Sequence, residues 1–157
     1  MVTGLACTLT LATGCGGGSE QAEKPAEEAN PEAVTAALNA GLQAHVEGRS
    51  SEAVTRYEEV LKLDPKNKFA IYNLGLISQN AGNNADAEGK YRQVLQLDPN
   101  YQPALFNLAI IRTAAGDTNE AISLYRRAVA ADPNDASAHL NLGLLLRRTG
   151  NRAEGDA

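Results

Sequence analysis

Apolar residues in this chain recur three and four positions apart, in two stretches separated by a short polar turn. Ile71, Leu74, Gly75 and Ile77 share one helical face, and Leu105, Leu108, Ala109 and Ile111 repeat it. This spacing predicts an amphipathic helix, helix A. Beyond the turn, Ala53, Tyr57 and Val60 mark a second helix, B. Ala87, Tyr91 and Val94 mark it again, as do Ala121, Tyr125 and Ala128. Gly48, Gly82, Gly116 and Gly150 punctuate the turns. Pro65, Pro99 and Pro133 stop helix B, because proline turns the preceding residue away from helix.

The whole pattern returns every 34 residues, and Asn39, Asn73, Asn107 and Asn141 keep the same interval. A period of this size marks one supersecondary unit stacked on copies of itself. The units are 34–67, 68–101, 102–135 and an incomplete 136–157. The turn glycines sit where a left-handed residue can end helix A. Asn83, Asp117 and Asn151 follow as expected caps of helix B, with Asp86, Glu120 and Glu154 three residues on to suit the helix dipole. In the first unit Arg49 holds the cap position, so Ser50 is expected to cap instead. Gly41, Gly75 and Gly143 lie inside helix A, where each costs roughly 1 kcal/mol against Ala. Close approach of a neighbouring helix accounts for them.

With a Leu-Gly pair in helix A (Leu74-Gly75, Leu142-Gly143), a small residue and then an aromatic in helix B, and a closing Pro, the chain resembles the tetratricopeptide repeat family. The resemblance covers 34–157. It departs in the large slot of helix A, where Ala37, Ile71, Leu105 and His139 stand in place of Trp. It implies an all-α, right-handed α-solenoid of antiparallel helix pairs, with about three and a half repeats. His139 is expected to be a packing residue.

By the same resemblance, helix A of each unit lines a concave groove with its second, fifth, sixth, ninth, twelfth and thirteenth residues. The sixth is Asn39, Asn73, Asn107 or Asn141. An amide offers a donor and an acceptor, so such a row can hydrogen-bond an extended peptide backbone. Packing or solubility is the other role open to it. Around the row stand Leu38, Tyr72, Phe106 and Leu140, then Leu42, Leu76, Ile110 and Leu144. Arg147 and Arg148 are the cations at the far end. The expected ligand is therefore an apolar or amphipathic protein segment, with acidic residues favoured near the fourth unit.

Composition narrows the partner classes. The formal charge is −5, and residues 16–33 alone hold five Glu against one Lys. The repeats hold 13 basic and 14 acidic residues, with no basic stripe of the kind that nucleic-acid binding requires. Residues 1–14 resemble a signal peptide: Val2 to Ala12 is too short to span a bilayer but suits a signal-peptide core. Leu11-Ala12-Thr13-Gly14-Cys15 resembles the bacterial lipoprotein cleavage box. Carried over, Cys15 bears the lipid and 15–33 is a flexible acidic tether. The segment departs in having Ala12 where Leu is usual and no Lys or Arg before the apolar run. Without processing, Cys7 and Cys15 are two reduced thiols of a cytoplasmic adaptor.

Catalysis finds no foothold. His45 and His139 have no Cys or carboxylate at ligand spacing, and Gly16-Gly17-Gly18 precedes no phosphate-binding element. No cofactor, metal or small-molecule substrate is indicated. Glu58, Glu59 and Glu88, among Arg56, Lys62, Lys90 and Arg92, are read as a solvated helix face. The sequence ends as helix B of the fourth unit begins, so truncation is expected, with Leu142, Leu145 and Leu146 left uncovered. The overall expectation is a non-enzymatic scaffold that binds a protein segment and is tethered to the bacterial cell envelope through Cys15. The alternatives are a soluble cytoplasmic adaptor and the repeat portion of a larger enzyme or sensor.

Overall fold

The computed structural model describes residues 30–150. They form seven helices: α1 (Pro31–Val46), α2 (Ser50–Leu63), α3 (Lys68–Asn80), α4 (Asn84–Leu97), α5 (Gln102–Ala114), α6 (Thr118–Ala131) and α7 (Ala136–Arg148). No strand occurs among the described residues. The A helices are α1, α3, α5 and α7, and the B helices are α2, α4 and α6. Each A helix but the last packs most heavily on the B helix that follows it, and each B helix also packs on the next A helix. The result is an all-α solenoid of helix pairs.

The repeated residues do the packing. Ala53, Tyr57 and Val60 are fully buried, as are Ala87, Tyr91 and Val94. In the third unit Ala121, Tyr125 and Ala128 are buried likewise. A β-carbon on Gly41 would meet Tyr57 Cε1 at 2.7 Å, and one on Gly75 would meet Tyr91 Cε1 at 2.8 Å. Close approach thus accounts for Gly41 and Gly75.

The turns follow a common design. Gly48, Gly82, Gly116 and Gly150 all have positive φ, between 75° and 87°. This lets the Asn83 N–H reach back to the Ser78 carbonyl at 2.9 Å, and the Asp117 N–H to the Arg112 carbonyl at 2.9 Å. Both bonds satisfy carbonyls that the helix end leaves open.

The expected side-chain caps of helix B are not formed. Arg49, Asn83 and Asp117 hold the N-cap positions, but none accepts a first-turn backbone N–H through its side chain. Ser50 is the first helical residue and not the cap. The Asn84 and Thr118 N–H groups bond instead to the Gly82 and Gly116 carbonyls, at 2.9 and 2.8 Å. The Asp117 carboxylate turns to Arg112. Side-chain caps lie at the A helices: Asn30 accepts from the Glu32 N–H, Asn67 from Ala70, and Asp135 from Ser137 and Ala138.

Helix α7 departs from expectation on two counts. Leu145 and Leu146 are buried and Leu142 is half-buried, all within the core that includes Leu124, Tyr125 and Ala128 of α6. Contact with α6 covers the face that was expected to be bare. His139 is exposed rather than packed, and its Nε2 lies 3.0 Å from the Pro133 carbonyl oxygen. Its counterparts Ile71 and Leu105 are buried in units whose own B helix follows.

Candidate binding face

Seven large apolar side chains are exposed among the described residues: Leu42, Val46, Leu63, Phe69, Leu97, Leu140 and Leu144. Five of them fall at positions of the A helices expected to line the groove. They are Leu42 (40% exposed), Val46 (88%), Phe69 (46%), Leu140 (62%) and Leu144 (51%). Leu63 and Leu97 occupy one equivalent position near the end of helix B. Exposure of large apolar groups is therefore concentrated on one set of helix faces, the kind of surface that marks an interaction site.

The other expected groove residues are distributed as follows. Leu38, Tyr72, Leu76, Phe106 and Ile110 are half-buried. Asn39 is exposed, whereas Asn73, Asn107 and Asn141 are half-buried. Two amides of the row have internal partners. Asn73 Nδ2 donates to the Phe69 carbonyl of its own helix at 2.8 Å, and Asn107 Nδ2 donates to the Tyr72 hydroxyl at 2.9 Å. The second bond joins α3 to α5 on this face. Arg147 and Arg148 are exposed at the end of α7. Cys15 lies outside the described residues.

An aromatic cluster sits at the same face, between the second and third units. The Tyr101 ring lies edge-on to Phe69 at 6.2 Å and to Tyr72 at 5.3 Å. Tyr72 also approaches Tyr91 at 5.8 Å, and Phe106 approaches Tyr125 at 5.9 Å. Burial raises the Tyr72 hydroxyl above its ordinary pKa, helped by neighbouring Tyr101, with the Asn107 hydrogen bond acting the other way. Lys68 Nζ is 2.6 Å from Asp98 and holds that carboxyl below its usual value.

On the B helices the structure assembles charges that were read as a solvated face. Glu88 Oε1 is 2.9 Å from Arg92, and Glu88 Oε2 is 2.9 Å from Arg112. Arg92 reaches Glu120 at 2.7 Å. Arg112 Nε stands 2.9 Å from Glu120 Oε2 without hydrogen-bond alignment, closing a ring of four charges, and Asp117 joins it through Arg112. Burial pushes the Glu88 carboxyl up, but its bonds to Arg92 and Arg112 prevail and hold it low. The sequence carries one hint of this ring. Arg112 is charged where Ala44, Ser78 and Leu146 hold the equivalent place. With every acid of the ring matched by an arginine, it is a clasp between units. No group of three or more His, Cys, Asp or Glu suited to a metal occurs among the described residues. None of their helices is long and apolar enough to cross a membrane.

A solenoid of helix pairs with this turn, this small-residue and tyrosine pairing and this closing proline is an α-helical repeat protein. Models of the tetratricopeptide repeat match residues 44–102, 79–139 and 112–155, and the chain belongs to that family. No curated protein matches it. Among solved structures, the MamA protein is 26% identical with a TM-score of 0.68, over 80% of this chain and 68% of that one. A mutant O-GlcNAc transferase from Thermobaculum terrenum is 26% identical with a TM-score of 0.67, over 74% of this chain but only 22% of its own. The first repeat domain of Spaghetti (RPAP3), solved with the HSP90 peptide SRMEEVD, is 20% identical with a TM-score of 0.71, over 79% of this chain and 98% of that one. That last likeness concerns the fold alone.

Proposed function

We propose that this protein is a non-enzymatic scaffold that holds a segment of a protein partner along the A-helix face. The observation that carries this reading is the concentration of exposed apolar side chains at groove positions of α1, α3 and α7. The peptide seen with the Spaghetti domain supports the mode of use. On the four A helices, the second, fifth, sixth, ninth, twelfth and thirteenth positions contain no Asp or Glu. They do contain His45, Arg147 and Arg148 in a chain of net charge −5. Such a face suits an amphipathic segment whose charges are acidic, since opposite potentials favour encounter and disfavour basic competitors. Asn39, Asn73, Asn107 and Asn141 supply amide groups to its backbone. Asn73 and Asn107 each spend one donor internally and keep an acceptor oxygen.

The second part of the proposal is a membrane tether. Cys15, preceded by small residues and followed by Gly16-Gly17-Gly18-Ser19, suits lipidation in a bacterial cell envelope. The glycine- and glutamate-rich segment before Asn30, shorter than the 15–33 expected because α1 starts at Pro31, would leave the solenoid free to meet its partner. Intact mass of the chain from a bacterial membrane fraction tests this. A chain starting at Cys15 with added acyl mass, absent from Cys15→Ser, is the expected result. An unmodified soluble chain that keeps the residues before Cys15 would overturn the tether and leave a cytoplasmic adaptor. The face is tested separately by Leu144→Glu, at an exposed position, which should abolish partner binding while the melting transition is retained.

A further inference from the structure

The start of α5 breaks a local rule. Asn30, Asn67 and Asp135 each cap an A helix with a side-chain oxygen. Tyr101 holds that position for α5 and makes no such bond. A missing side-chain cap leaves the helix start less stable. The Tyr101 ring is instead set edge-on against Phe69 and Tyr72. Tyr72 is fixed in turn by Asn107, whose amide donates to its hydroxyl. Phe69 is the one aromatic side chain left exposed, at 46%, while all others are buried or half-buried. A departure from local preference that yields a rigid cluster with one open ring is the signature of a binding anchor.

We infer that Phe69, backed by Tyr101 and Tyr72, is the anchor pad that receives one bulky apolar side chain of the bound segment, next to a carboxylate. The inference rests on the A-helix face being the binding face. Lys68 decides the charge. Its Nζ stands 5.4 Å from the Phe69 centroid and 5.2 Å from that of Tyr101, so the cation position over both rings is filled. A basic side chain of the partner would meet Lys68 at close range. A carboxylate would share the ammonium with Asp98, because an ammonium has three hydrogens to donate. The pad therefore selects an apolar residue with an acidic neighbour, and it fixes the register of the segment at the junction of the second and third units.

A displayed random-peptide library selected on the full chain tests this, with the selected peptides then measured against Phe69→Ala and Phe69→Tyr. The expected consensus pairs a large apolar residue with an adjacent Asp or Glu. Binding should fall about thirtyfold in Phe69→Ala, the scale of an interface hot spot, and be retained in Phe69→Tyr. Peptides that bind Phe69→Ala as tightly as the parent, yet lose binding to Leu144→Glu, would overturn the pad and leave the face intact. A consensus with a basic neighbour would also overturn it. No selected peptide at all would overturn the reading of the face itself, and the pad with it.

Discussion

Gly75 of α3 lies so close to Tyr91 of α4 that a β-carbon on the glycine would stand 2.8 Å from Cε1 and 3.1 Å from Cδ1 of the ring. The tyrosine fills the space that the glycine leaves, and the pair sets the distance between the two helices of the unit. Gly41 and Tyr57 repeat the relationship in the first unit. In the third unit Ala109 faces the same way and is fully buried, so the pairing admits one more carbon there.

Glycine substitutions should therefore diverge according to surroundings. Gly75→Ala gains helix propensity of about 1 kcal/mol but forces the ring or its backbone to move, at about 1–3 kcal/mol. A lower melting temperature is expected. Gly89 is exposed within α4, with nothing within 4 Å of an added β-carbon. Gly89→Ala should raise the melting temperature, by an amount near 1 kcal/mol of stability. Thermal unfolding followed by circular dichroism distinguishes the two, and equal shifts would contradict the packing account.

The tyrosine hydroxyls should also separate. Tyr91 donates to Gln79 Oε1 at 2.6 Å, and Tyr125 pairs with Thr113. The Tyr57 hydroxyl is buried without a partner, and His45 occupies the place of Gln79. Tyr91→Phe should cost about 1 kcal/mol, whereas Tyr57→Phe should be neutral or stabilising. Urea unfolding midpoints of the two variants provide the comparison. An equal loss in both would show that Tyr57 is satisfied in solution.

Stability should fall at both extremes of pH, for opposite reasons. Hydrogen bonds from Ser78 and Lys90 hold Asp86 low, and Arg92 and Arg112 hold Glu88 low against its burial. A carboxyl lowered in the folded state contributes stability above its unfolded pKa of about 4, lost as pH falls through the folded value. Burial raises the hydroxyls of Tyr57, Tyr72, Tyr91, Tyr101 and Tyr125. Their contribution is complete below about pH 10 and is lost as pH rises towards the folded values. Tyrosinate absorbance should consequently appear together with unfolding in an alkaline titration. Full ionisation while the helical signal persists would contradict this.

The seams between units should differ in strength. Between the second and third units, Arg92–Glu120, Arg112–Glu88, Asn107–Tyr72 and Arg127 to the Pro99 carbonyl all cross. From α1 and α2 to α3 and α4, no side-chain hydrogen bond or ion pair crosses among the described residues, and the contact is apolar, with Ala70 and Leu74 of α3 joining the cluster of Ala44, Ala53, Tyr57 and Val60. Leu61 packs against this cluster and against the larger core beyond it. Repeat arrays draw their stability from such interfaces. Native-state hydrogen exchange should show α1 and α2 opening at lower free energy than α4 to α6. Arg112→Met should narrow that gap, and uniform protection would contradict it.

Much of the fold was legible from residues that recur. The period, the turn glycines, the small-residue and tyrosine pairs and the buried stripes each state a rule several times, and repetition is what makes them readable. What escaped was specific to a single unit. The Arg112 ring links α4, α5 and α6 through Arg112 and Glu88, whose counterparts Ala44, Ser78 and Leu146, and Val54 and Ile122, carry no charge. The role of Tyr101 is hidden because its counterparts Asn67 and Asp135 are ordinary caps. The facing of α7 was legible, with Leu144 outward and Leu142, Leu145 and Leu146 on the other face, but its cover was not. Contact with α6 buries Leu145 and Leu146, which were expected to be bare.

The claim that the A-helix face holds the partner is tested most directly by site-specific photocrosslinking in a bacterial host. A photoreactive residue replaces Phe69 or Leu144 on that face, or Lys62 or Gln96 on the exposed side of the B helices. Discrete crosslinked products from positions 69 and 144, with none from 62 and 96, are the expected result. Products of equal yield from both sets, or from the B helices alone, would contradict the account.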